Sequence, residues 1–130
     1  MIILKCLQKP VDLRYRSAQQ LADAVELLKS LTNDMLKAMG EQNIDLALAN
    51  SVKYLDVFGN IVIAWLWLWQ GQIAAKALAN NPHEADENFY RGKLQAMQYF
   101  FRYDLPEIKA WADLLSSVDD TCFNMKNEWF

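Results

Sequence analysis

Two cysteines, three prolines, four glycines and one histidine are the whole supply of turn formers and soft metal ligands in 130 residues. Each shortage excludes something. So few turn formers leave long elements between turns, which helices satisfy better than strands. A di-iron or di-manganese bundle needs Glu-x-x-His pairs, whose i, i+3 spacing puts both ligands on one inward face. The one histidine is His83 and residue 80 is Asn, so that chemistry is absent. Zinc centres fail for the same want of ligands. Cys6 and Cys122 match no metal or redox spacing. A disulfide between them is left open by the sequence, but nothing marks secretion, and reduced thiols in a cytoplasmic protein are the expectation. Gly40, Gly59, Gly71 and Gly92 are isolated, so no glycine-rich loop cradles a phosphate.

A formal charge of −3 argues against an electrostatic grip on nucleic acid. Lys5, Lys9, Arg14 and Arg16 do crowd one end, where they read as a solvated edge or linker. The longest apolar run, Ile61 to Trp69, has nine residues against the roughly 20 of a bilayer span, so no membrane span is expected. A Ser or Cys nucleophile would want a histidine base, and His83 opens an acid-rich helix as a surface residue. Glu84, Asp86, Glu87 and the Asp119-Asp120 pair sit at helix starts, where the helix dipole accounts for them without catalysis.

What is present is apolar helix. Hydrophobic residues make up 53% of the chain, enough for a substantial core in one domain. Ser17 and Gln20 have the form of a capping box. Leu21, Ala24, Val25, Leu28, Leu31, Met35 and Met39 then recur by threes and fours up to Gly40, which predicts a helix over 17–39. Asn43 is placed to cap a second helix from Ile44 to about Ala79, long enough to be central to the fold. Gly59 and Gly71 inside it imply close approach of another helix, or a kink. Asn81-Pro82 starts a third helix reaching Tyr103. Pro106 ends or kinks it, Asp104 is the candidate cap of a fourth helix, and Asp119 caps a last short turn. The predicted fold is all-α: an up-and-down bundle of four main helices over 17–130, with 1–16 as linker or N-terminal extension.

The second helix carries an unusual aromatic load. At 100° per residue, Phe58, Ile61, Val62, Trp65, Trp69 and Ile73 share a face assigned to the core. Lys53, Asp56, Asn60 and Gln70 lie opposite, yet Ile63 and Trp67 project among them. Either the helix is surrounded within its own bundle, or Ile63 and Trp67 pack on another chain or domain. A cofactor pocket lined by the tryptophans is a third reading.

Tyr54-Leu55 with Phe58-Gly59, the aromatic run to Trp69, Phe89-Tyr90 with Lys93, the aromatic pair Phe100-Phe101 and Leu105-Pro106 follow in order. This series resembles the C-terminal domain appended to one branch of the acyl-CoA dehydrogenases, over about 17–130. Residues 1–16 match nothing in it. The resemblance implies a parent enzyme that uses FAD to desaturate the α–β bond of an acyl-CoA, with a carboxylate base. Base and flavin segments lie upstream in such enzymes, so no catalytic, cofactor-binding or metal residue is carried onto this chain. The implied role is structural: a contact with the dehydrogenase body or a second subunit in a homo-oligomer, with Ile63 and Trp67 as candidate interface residues. The alternative is a free-standing helical adaptor or acyl-binding module.

Overall fold

The computed structural model describes residues 13–41 and 44–130. Lys5, Lys9, Cys6 and Asn43 lie outside those residues. No breaker interrupts the chain between Leu13 and Gly40, so α1 runs Leu13–Gly40 and already includes residues 13–16, expected as linker. Ser17 is therefore not a cap but an interior position of α1, 4% exposed. Gly40 ends the helix as predicted, without entering the left-handed region. Leu21, Ala24 and Leu31 are buried, and Val25 and Leu28 pack beside them.

The expected long second helix is two. A short α2, Ile44–Leu48, precedes α3, Ser51–Leu78. Asn50 sits between them at φ −108°, ψ 23°. Its Nδ2 donates to the Asp119 carbonyl at 2.8 Å, so the turn is held by the far end of the chain. Competition of an Asn side chain for distant backbone is a tertiary effect that local pattern does not carry.

Helix α4, Glu84–Tyr99, opens with Glu84, Asp86 and Glu87 in its first turn. The N-cap position is His83, whose side chain makes no capping bond, and not Asn81, which instead takes φ 50° in the turn. Asn tolerates that left-handed conformation better than most residues. Pro106 does not stop the chain. The helix widens into a π turn, Phe100–Asp104, then tightens into a 3-10 turn, Leu105–Glu107, before α5, Ile108–Ser116. Asp104 is thus helical and caps nothing. Widening misaligns backbone partners, and Gln20 of α1 compensates: its Nε2 donates to the Phe101 carbonyl at 3.2 Å. Asp119 does cap the next turn, accepting from Thr121 N–H at 3.1 Å. The described residues hold no strand.

Helix α3 is central, packing along α1, α4 and α5. Val57, Ile61, Ala64 and Leu68 meet Leu21, Leu31, Met97, Phe101 and Leu115 in one core. Gly71 has the predicted reason to be glycine, because an added Cβ would overlap the Met97 sulfur of α4. Gly71→Leu should destabilise the chain by about 1–3 kcal/mol through overpacking. Urea denaturation measures this, and an unchanged midpoint would contradict the close α3–α4 approach.

Candidate contact surface

The face of α3 that builds the core is not the one periodicity assigned. Val57, Ile61, Ala64, Leu68 and Gly71 are buried and fall within an arc of about 80° at 100° per residue. Of the set assigned to the core, only Ile61 is there. Phe58, Val62, Trp65, Trp69 and Ile73 are exposed, at 45%, 38%, 44%, 47% and 52%. With Leu55 and Leu66 they form an outward apolar stripe of about 100° on the side of the helix that the bundle leaves open. Trp65 and Trp69 stack within it, ring centroids 6.1 Å apart.

The cause of the misassignment is physical. Apolar side chains nearly encircle α3, so periodicity cannot say which side turns inward. Size can. Ala64, Gly71 and Ala74 are small and buried, whereas the outward residues are large. Neighbouring helices approach where side chains are short, and that was the signal available in the sequence.

Ile63 and Trp67 are separated by the fold. Ile63 is 44% exposed, beside the stripe. Trp67 is half-buried against the core, at the α3–α4 seam. Lys93 Nζ of α4 stands 5.5 Å from the Trp67 ring centroid and 5.5 Å from that of Phe89. It also donates to Gln70 Oε1 at 3.0 Å. A cation over an aromatic face is attracted by the ring quadrupole, so Lys93 fastens the seam.

The other motif residues are structural as well. The Thr32 hydroxyl donates to the Leu28 carbonyl at 2.8 Å, which leaves it to accept from the Tyr54 hydroxyl at 2.8 Å. That bond joins α3 to α1. Phe100, Phe101 and Leu105 are core. Tyr99 and Tyr103 stack on the surface, 4.8 Å apart.

Clefts open on the described surface. One, of about 160 Å³, lies among Gln20, Ala24, Leu27, Leu105, Pro106 and Lys109. Another, of about 280 Å³, is lined by Gln70, Ile73, Ala74, Phe89, Tyr90 and Lys93. Enclosing ligand sites run to roughly 300–1,000 Å³. His83 and Cys122 are both exposed. Among the described residues no three His, Cys, Asp or Glu side chains gather as metal ligands. By length and composition α3 is apolar enough to cross a membrane, although one of its faces is committed to the core.

A chain built in this way, with ordered motif residues spent on helix contacts, matches the family described as acetyl-CoA dehydrogenase C-terminal like over residues 8–126. It belongs to that family. Among curated proteins it is 23% identical over 114 residues to one described as broad-specificity linear acyl-CoA dehydrogenase FadE5, from Mycobacterium tuberculosis. The match covers 87% of this chain and 19% of that protein, so this chain spans about a fifth of the relative's length.

The two faces of α3 should respond differently to truncation. Leu68→Ala should cost about 2–5 kcal/mol, as cavities in packed cores do. Trp69→Ser should cost the isolated chain less than about 1 kcal/mol, as surface changes do. Denaturation of both variants at low protein concentration checks this, and equal losses would reverse the assignment of faces. Tyr54→Phe should cost about 1 kcal/mol for the lost bond to Thr32, read from the same curves.

Proposed function

We propose that this chain is the non-catalytic, structural contact domain of an acyl-CoA dehydrogenase-like flavoenzyme. Its work is to hold the dehydrogenase body and neighbouring subunits together, in the cytoplasm. One observation carries the reading: a family domain that spans a fifth of a dehydrogenase leaves a long apolar face open. Contiguous apolar surface of this extent marks an interface in proteins that remain dispersed in water. In the parent enzyme FAD would accept the hydride during α,β-desaturation of the acyl-CoA. The residues of this chain contribute no step to that reaction. They bury surface and fix position.

Native gel electrophoresis of the source material tests this, probed with an antibody to this chain and scanned for flavin fluorescence. Antibody signal and flavin should coincide in a species several times heavier than 15.1 kDa. Antibody signal free of flavin, at the mass of this chain or its small oligomers, would overturn the proposal.

A second reading, an acyl-binding module, draws on the cleft of about 280 Å³ with Lys93 at its edge. Lys93 is already engaged by Gln70 and two rings, and the cleft is shallow for an acyl chain. Titration with a long-chain acyl-CoA should leave tryptophan emission unchanged. A saturable shift would favour the acyl-binding module instead.

A further inference from the structure

Gly59 has no explanation inside this chain. It lies mid-way along a 28-residue helix, where glycine costs about 1 kcal/mol against alanine. Unlike Gly71, it has open space beside it: apart from its chain neighbours and its own helix backbone, no heavy atom comes within 4 Å of the place a Cβ would occupy. Of its neighbours on the helix surface, Leu55, Val62 and Ile63 are exposed, and Asp56 is half-buried and paired with Lys53. The result is a dimple at the edge of the outward stripe.

The stripe has a midpoint. Ala64 lies halfway between Leu55 and Ile73, the first and last of its residues. It also lies halfway between Gly59 and Trp69. A two-fold axis at that midpoint, with two α3 helices antiparallel, therefore brings Trp69 of each copy level with Gly59 of the other along the helix axis. A large ring held by its stack on Trp65 meets the one outward position without a side chain. Antiparallel pairing also brings each helix N-terminus to the other's C-terminus, so the helix dipoles oppose favourably.

The area is sufficient. Taking roughly 150–250 Å² for a large side chain, the exposed fractions along the stripe amount to roughly 500–800 Å² per copy. A standard interface takes about 800 Å² per partner, and Val52 and Ile63 extend the stripe at its margins.

We infer that the outward face of α3 is an isologous interface with a second copy of this chain, in which Trp69 of each copy fills the Gly59 dimple of the other. This rests on the contact role proposed above and names the partner of that surface. The self-complementary spacing of dimple and ring favours a second copy over a lipid surface. An interfacial membrane helix would also carry a basic flank, whereas the charged residues of α3 are Lys53, Asp56 and Lys76.

Sedimentation equilibrium on the 130-residue chain, with Gly59→Leu beside it, tests the inference. The parent chain should sediment at twice 15.1 kDa at tens of micromolar. Gly59→Leu should sediment at the single-chain mass, with the association constant lowered at least 100-fold. Its helical circular dichroism should be retained, because a Cβ added there has open space and leucine favours helix. Adding Trp69→Ala to Gly59→Leu removes the opposing ring and should restore the double mass. A single-mass parent chain overturns the inference. So does a Gly59→Leu variant that still pairs, a double variant that stays single, or a single-mass parent that floats with anionic vesicles. A single-mass parent chain with flavin still coincident on the native gel would remove self-pairing and leave the dehydrogenase role intact. A double-mass chain free of flavin would do the reverse.

Discussion

An α-helix surrounded by large apolar side chains has more surface to hide than its own bundle can cover. Helix α3 is in that position, and the architecture follows from how its sides are shared out. Short side chains, Ala64, Gly71 and Ala74 among them, let α4 and the remaining helices approach on one side. Large ones, Trp65 and Trp69 above all, are left on another. Burying a side chain of that size is worth roughly 1.5–3 kcal/mol. Several of them in water along one helix represent a driving force as large as the net stability of many domains.

Elements set by local chemistry were legible from the residues. The apolar stripe of α1, its end at Gly40 and the acidic first turn of α4 all stand where the pattern puts them. What escaped is tertiary. Asn50 divides the second helix because its amide reaches Asp119, sixty-nine positions along the chain. Pro106 is absorbed by a π turn because Gln20 satisfies the Phe101 carbonyl that the widened turn presents. Neither partner is visible from the sequence around the break.

The contact surface shows the same division. That α3 has more apolar faces than one core needs was readable, and Ile63 does face water beside the stripe. Which face turns outward was not, since hydrophobicity is nearly uniform around this helix and only residue size distinguishes its sides. Trp67, for which the sequence left packing within its own bundle or on another chain open, lies against the core at the α3–α4 seam, with Lys93 beside its ring. The family's landmark residues behave similarly. Tyr54, Lys93, Phe100, Phe101 and Leu105 are spent on joining helices, which suits the structural role proposed for this domain.

The proposed contact role depends on the outward stripe being covered in the working protein. A version in which Trp69 is the sole tryptophan, the others replaced by phenylalanine, reports on this through iodide quenching. The account predicts weak quenching in the concentrated, assembled protein and strong quenching once it is diluted to single chains. Equally strong quenching at every concentration and in every assembly would show that ring permanently in water, and would contradict the account.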